Sequence, residues 1–436
     1  MAKGNMKEEP YLNRLIFETF QFTSRREVLI GIDTTNKYVI KIQVIKNKNK
    51  RNDIYEEYEI IKYLNDKRCV TCPIVYEKGK IKKSSIISKE IWASANVHGG
   101  PGILHTDILD SISDNEFKYI IQEFIPDNGA FTFADIMLAL VEQKKLGVYH
   151  GDVKPANIRF SPVSNICYFI DYDQAMFLNN EQINLDNVNF LHFCSQYDKA
   201  KYGFGNWSRH FPQYKNNDIM RVFNNKALDL EQTTVFKTQK TTNTINGIYH
   251  SINEQDIYIN GSRTVSSRSI LLDEIKFEPN ETVLDIGCNS GLLCTYLHDR
   301  GCNVTGADVD PHIIIACKII SNILGKDINY LQLDLDKVKQ IDDFDTVVLF
   351  SVLHHTRDPV ENAKKLINSC SRILLEVRLE ENGKQLVDGE WSNTTRWSFN
   401  TIDELISYCE SMFKGFKLRA NLGKADKNRY IFEFVK

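Results

Sequence analysis

A carboxylate, an amine and an amide crowd into one short stretch, Tyr149-His150-Gly151-Asp152-Val153-Lys154-Pro155-Ala156-Asn157, and a second carboxylate, Asp171, follows the apolar pair Phe169-Ile170. Moving a phosphoryl group requires phosphates held, a metal ion bridged and a hydroxyl aimed, with little covalent help from the protein. Each task has a candidate here. Asp152 can accept the proton of an attacking hydroxyl, and Lys154, two positions on, can neutralise the migrating group. Asn157 and Asp171 supply the hard oxygens that Mg²⁺ prefers. Lys41, in the run Val39-Ile40-Lys41-Ile42, can hold nucleotide phosphates, with Glu57 to fix it.

A second constellation lies downstream in Val283-Leu284-Asp285-Ile286-Gly287-Cys288-Asn289-Ser290-Gly291. Asp285-x-Gly287-x-x-x-Gly291 reads as a strand end opening into a helix, and its glycines let the backbone approach a cofactor closely. Asp308 closes the next apolar run about 20 residues on, where an acid can take both hydroxyls of a ribose. His354 and His355 offer a general base, but a phosphate acceptor needs none, because its oxygens are already anionic near neutral pH. It needs arginine, whose fork matches phosphate. Arg263 and Arg268 precede the glycine-rich turn, and Arg378 and Arg396 follow the fifth strand of this half. Trp391, Trp397 and Phe399 beside Arg396 suit either a sugar-stacking wall or a core.

The elements that must position these groups are legible in outline. Residues 11–45 read as short β-segments, and Ile54, Tyr58, Ile61 and Leu64 recur at helical spacing. Tyr119 to Pro126 reads as a strand and Phe133 to Leu146 as a helix. Asn179 to Asn260 is rich in Asn, Gln, Thr and Lys and reads as a reduced end of the first domain plus a connector. From Arg268 onward helix and strand alternate, which predicts a parallel sheet covered by helices. The boundaries that follow are a first domain over 1–240 and a second over 241–436.

The first set of motifs resembles the wider kinase-like superfamily over roughly residues 11 to 230. The resemblance implies an α+β protein-kinase-like two-lobed domain that binds ATP and Mg²⁺, with Glu123 and Ile125 in the hinge that holds the base. Three departures stand out. Gly151 replaces the arginine of the usual H-R-D, Phe20 to Arg26 stands where a glycine-rich loop is expected, and no A-P-E segment follows Asp171. These features resemble small-molecule and glycan kinases rather than protein kinases. The second set is similar to α/β class I (Rossmann-like) S-adenosylmethionine (SAM) methyltransferases over roughly residues 262 to 436. That resemblance implies SAM held by Asp285, Gly287, Gly291 and Asp308, adenine met by Asp334 of Leu331-Gln332-Leu333-Asp334, and Ser351 facing the sulfonium. His355 would shape the acceptor site. Together the halves resemble bifunctional enzymes that cap bacterial O-antigen polysaccharides, although the order of domains differs and no heptad-rich coiled coil follows.

Composition narrows the partners. With 436 residues, 42% hydrophobic and 25% charged, the chain has the profile of a soluble globular protein of two domains. A net charge of −3 gives no global field towards polyanions, so nucleic acid is not expected as a partner. No apolar run reaches the roughly 20 residues of a membrane span. The ten cysteines show no disulfide framework, and Cys69 and Cys72 lack the second pair of a zinc site. The expectation is a cytoplasmic enzyme, peripheral to the inner membrane through a glycan-assembly partner, that phosphorylates a carbohydrate hydroxyl and then methylates the phosphate. The rivals are an RNA- or protein-modifying enzyme with independent domains, and a methyltransferase with a kinase-like scaffold that presents substrate. The sequence leaves the oligomeric state open.

Overall fold

Strands β1 (Phe17–Phe22), β2 (Val28–Asp33) and β3 (Tyr38–Gln43) form consecutive antiparallel pairs. The tight turn between β2 and β3 is held by Asp33, whose carboxylate accepts the N–H groups of Thr35, Lys37 and Tyr38 at 2.7–2.9 Å. Helix α1 (Ile54–Asp66) begins at a capping box: Asp53 accepts from Tyr55 and Glu56 N–H, and the Glu56 side chain accepts from Asp53 N–H. Strands β4 (Val75–Lys82), β5 (Glu90–Trp92) and β6 (Glu116–Glu123) complete a six-stranded sheet of order β4-β6-β3-β2-β1-β5. Beyond it lie α2 (Phe133–Lys145), β7 (Val148–Tyr149) and the hairpin of β8 (Ile158–Ser161) with β9 (Ile166–Phe169).

This computed structural model describes residues 10–22, 27–45, 53–87, 89–92, 109–110, 112–126, 133–161, 163–185, 228–229, 251–254, 257–259, 266–378, 401–426 and 429–436. The chain divides into two units, residues 1–228 with 232–234, and residues 229–231 with 235–436. Most of the expected connector, with Arg263, Trp391, Arg396, Trp397 and Phe399, lies outside the described residues.

In the second unit the alternation of helix and strand builds a seven-stranded sheet. Its elements are α3 (Ser266–Leu272), β10 (Thr282–Ile286), α4 (Leu292–Asp299), β11 (Asn303–Asp308), α5 (Pro311–Leu324), β12 (Asn329–Gln332), β13 (Thr346–Phe350), α6 (Pro359–Ile367), β14 (Arg372–Arg378), α7 (Ile402–Met412), β15 (Lys417–Asp426) and β16 (Arg429–Val435). The strand order is β12-β11-β10-β13-β14-β16-β15. Side chains alternate across it. Leu284, Ile286, Val347, Leu349, Ile373 and Leu375 pack into the layer with α6 and α7. Val283, Val304, Val348 and Leu374 pack into the opposite layer with α4 and α5. Both faces are therefore covered, as a parallel sheet requires.

The purely parallel reading needs one correction. β16 runs antiparallel to both β14 and β15, because the short link between β15 and β16 can only return the chain antiparallel. The ladder between β15 and β16 shifts register three times, at Leu418/Ala420, Asn421/Gly423 and Lys424/Asp426.

Candidate functional site

Each unit gathers its own group of polar side chains. In the first, β3 carries Lys41 into the interior, where its Nζ donates to Glu57 Oε1 at 2.6 Å and to Asp171 Oδ1 at 3.1 Å. Lys41 and Glu57 are both buried. Burial alone would lower the pKa of this ammonium, but the carboxylates of Asp171 and Glu57 outweigh it and hold the pKa raised, so the lysine stays charged. Glu57 comes from the buried face of α1 and also accepts the N–H of Tyr172 at 3.2 Å, which ties the helix to the segment after β9.

The loop between β7 and β8 is organised around His150. This buried imidazole donates from Nε2 to Ile170 O at 3.0 Å and accepts Asp152 N–H on Nδ1 at 3.3 Å, a pattern that requires the neutral ring. Burial lowers its pKa to about 4 and keeps it neutral. Asp152 in turn receives Lys154 Nζ at 2.5 Å, and Asn157 Nδ2 donates to the Asp152 carbonyl at 2.9 Å and to its Oδ2 at 3.0 Å. Asn157 thus commits its amide nitrogen to Asp152, and among the described residues nothing donates to its side-chain oxygen. Gly151 sits at φ +76°, and a Cβ there would lie 2.3 Å from the carbonyl oxygen of Gln174. That contact accounts for glycine where the resembled family has arginine. Asp171 is also left-handed, at φ 69°, an uncommon geometry for a residue bearing a Cβ.

Glu123 and Ile125, the residues expected to form a hinge, are engaged differently from a simple reading of their side chains. The Glu123 carboxylate accepts Ile74 N–H at 3.1 Å and Ile125 is buried, while the Ile125 N–H has no hydrogen-bond partner among the described residues. Any contact with a base from Ile125 would therefore be made by backbone. Asn157, Asp171 and Asp152 offer oxygen donors that suit Mg²⁺ in kind. Among the described residues no cluster of three or more His, Cys, Asp or Glu could hold a metal alone.

In the second unit the turn after β10 is built for close approach. Gly287 and Gly291 both sit at φ +74°; a Cβ on Gly287 would lie 2.5 Å from Val352 Cγ2, and one on Gly291 would lie 2.6 Å from Tyr330 Oη. Asp308 ends β11, buried, and accepts Asn289 N–H at 3.2 Å and Asp310 N–H at 3.1 Å. Burial outweighs those two donors and pushes its pKa up to about 6. Asp285 is more deeply enclosed; burial, then the Cys288 sulfur, push it to about 8, while Cys294 Sγ donates to it at 3.2 Å. Asp334 stands nearer the surface, engaged by Lys337 Nζ at 2.9 Å and by Asp336 N–H at 3.0 Å, on the wall of a small cavity shared with Arg357 and Lys365.

The matching family model is that of a methyltransferase domain, and it covers residues 284–376. Those residues run from β10 through β14 and include the glycine turn and Asp308. The second unit carries a SAM-dependent methyltransferase domain of class I, Rossmann-like fold. Curated relatives include the tRNA U34 carboxymethyltransferase of Shewanella loihica, 30% identical over 119 residues, which is 26% of this chain and 36% of that protein. The enzyme of the same name from Nautilia profundicola is 28% identical over 137 residues, 30% of this chain and 45% of its own length. The chain thus spans less than half the length of these relatives. Among solved structures, the bifunctional kinase-methyltransferase WbdD aligns with TM-score 0.34 and 18% identity over 43% of each chain. A TehB-like SAM-dependent methyltransferase from Corynebacterium glutamicum aligns with TM-score 0.30 and 19% identity over 40% of this chain and 90% of its own.

Around this methyltransferase core the proposed acceptor residues fall unevenly. Ser351 follows β13 in a left-handed conformation, φ 58°, and His355 lies in the single turn Leu353–His355 that comes next. Arg268 is not a solvated surface arginine. It is buried, with Nε and Nη2 donating to the two oxygens of Glu376 at 2.6 and 3.0 Å. Arg378 ends β14, paired in register with Arg429. Sequence reasoning passes over Glu376 and Arg429. The available signal was an acid inside the apolar run Ile373-Leu374-Leu375-Glu376-Val377, since a carboxylate on a buried strand demands a cationic partner. No helix among the described residues is long and apolar enough to cross a membrane.

Proposed function

We propose that the chain is a two-site transferase in which the first unit phosphorylates an acceptor hydroxyl from ATP and the second unit methylates the product from SAM. The observation that carries the first half is the buried contact of Lys41 with both Glu57 and Asp171, beside a loop in which Asp152 is held by Lys154 and Asn157. In this reading the first unit is kinase-like. Asp152 accepts the hydroxyl proton, Lys154 offsets charge on the moving phosphoryl group, Lys41 holds phosphate oxygens, and Asn157 and Asp171 hold Mg²⁺, which supplies charge neutralisation when bound. For the methyltransferase domain, Gly287 and Gly291 admit the cofactor, Asp308 takes its ribose hydroxyls, Asp285 and Asp334 stand beside it, and Ser351 and His355 face the acceptor.

For the acceptor we propose a carbohydrate hydroxyl, phosphorylated and then methylated on the phosphate. The reading is supported by the conjunction of the two sites in one chain. A second reading, RNA modification, is favoured by the curated relatives, whose name places their chemistry on tRNA. Product masses decide between them. The full chain is incubated with ATP and SAM in the presence of candidate glycans or of unmodified tRNA. The first reading expects a phosphate increment on glycan with ATP alone and a methyl increment only when both are supplied. Methylated tRNA in the absence of ATP, with glycans untouched, would replace it by the second.

A further inference from the structure

We infer that Arg429, positioned by Glu376 and Ser351, is the anion-recognition residue of the acceptor subsite, and that the methyl acceptor presents an oxyanion there. The inference rests on the methyl-transfer reading of the second unit and names the chemistry of its acceptor.

Four observations converge on one edge of the sheet. β13 and β14 end at Phe350 and Arg378, and antiparallel β16 begins at Arg429, so Ser351, Glu376 and Arg429 share the carboxyl edge of the parallel strands, where ligands of open α/β sheets bind. The cofactor turn abuts the same place, because Gly287 packs on Val352, the neighbour of Ser351. Arg429 Nη1 donates to Ser351 Oγ at 2.5 Å and to Glu376 Oε1 at 3.1 Å, and the Ser351 hydroxyl also donates to Glu376. Glu376, fully enclosed, already has both oxygens taken by Arg268.

The second guanidinium is therefore surplus to the needs of that carboxylate. One buried glutamate with one bidentate arginine is a satisfied pair; a second arginine with only 16% of its side chain exposed adds positive charge that has lost most of its water. Among the described residues only Nη1 of Arg429 is bonded, which leaves the Nε and Nη2 donors for a ligand. His355 fits the same picture: burial, then the charge of Arg429, keep its imidazole below the usual pKa and hence neutral at pH 7. A neutral histidine beside a cationic arginine does not compete with an anion. An oxyanion also removes the need for a base. Its oxygen lone pair forms the new O–CH₃ bond, the S–CH₃ bond of SAM breaks with its electron pair staying on sulfur, and no proton moves.

The test uses the full-length chain in a Lys41→Met background, which disables phosphate binding by the first unit, saturated with S-adenosylhomocysteine. Titration calorimetry follows methyl phosphate and, separately, acetate. Arg429→Gln is expected to weaken methyl phosphate binding at least about tenfold, the loss of one charge-assisted pair, with Arg429→Lys intermediate. S-adenosylhomocysteine affinity, measured on each variant, should stay within about twofold and so reports folding. Acetate bound as tightly as methyl phosphate, with the same Arg429 dependence, keeps the oxyanion assignment and names a carboxylate as its source. Methyl phosphate binding unchanged by Arg429→Gln, or binding of neither anion, overturns the inference. A parent protein that takes no S-adenosylhomocysteine would instead overturn the cofactor reading on which it rests.

Discussion

Replacing Asp308 by Asn should make the methyltransferase unit more stable and a poorer cofactor binder, and the pH dependence of both effects is set by its enclosure. Asp308 is buried with a pKa pushed up to about 6, against 3.8 for the free side chain. The folded apo protein therefore holds a proton on Asp308 between pH 4 and 6 that the unfolded chain has released. Its contribution to stability falls as pH rises through that window, and above pH 6 the ionised carboxylate costs about 3 kcal/mol. Asn carries no charge, so the apo variant should gain about 1–3 kcal/mol at pH 7, less whatever the weaker amide bonds to Asn289 and Asp310 N–H lose. Cofactor binding moves the opposite way. Two charge-assisted bonds to a ribose are roughly twice as strong as their neutral counterparts. Their loss costs about 2–3 kcal/mol, or roughly 30–150-fold in affinity. Wild type should also weaken as pH falls, by about fivefold between pH 6 and 5 and about tenfold over pH 7.5 to 5, while Asp308→Asn stays flat. Calorimetric titration of S-adenosylhomocysteine from pH 7.5 to 5, with chemical denaturation of the apo forms, reads all three quantities. Equal affinity in the two proteins, or the same pH slope in both, would refute the placement of the ribose on Asp308.

Asp152→Asn should abolish phosphoryl transfer and leave ATP affinity within a few-fold, whereas Asp171→Asn should weaken Mg²⁺-dependent ATP binding; kinetics and nucleotide titration separate the two. Gly151→Ala should destabilise the first unit, because its Cβ would meet a backbone oxygen at 2.3 Å at positive φ, and a lowered midpoint in denaturant melts would check it. Phe434→Ala removes a fully buried ring from the sheet core and should cost about 3–5 kcal/mol, measured by the same melts.

Legibility followed sequence distance. Asp152, Lys154 and Asn157 are within a few residues of one another, so their spacing alone announced a loop, and the glycines at 287 and 291 announced a turn whose left-handed backbone needs them. Lys41, Glu57 and Asp171 required only the order of elements, a charged residue in a strand, one on a helix face and one after a strand. The acceptor edge was opaque for the opposite reason. Glu376 and Arg429 are 53 residues apart and Arg268 and Glu376 are 108 apart. Arg429 reaches Glu376 through the antiparallel insertion of β16, and Arg268 reaches it from α3, and no local pattern encodes either meeting. Arg268, a candidate phosphate grip by its position before the glycine-rich turn, lies buried against Glu376. Asp334 illustrates a different blindness: its position after β12 was readable, but its engagement with Lys337 was not.

The three register shifts along β15 bear on how the protein behaves in a concentrated solution. A straight unpaired edge is a template on which a second chain can add a strand. Here β15 is kinked by its bulges and exposes Lys417, Arg419 and Lys424, and the opposite edge, β12, is only four residues long. A passing strand meets curvature and positive charge on one side and too few hydrogen-bond partners on the other. The sheet is closed to growth at both rims without being closed into a barrel.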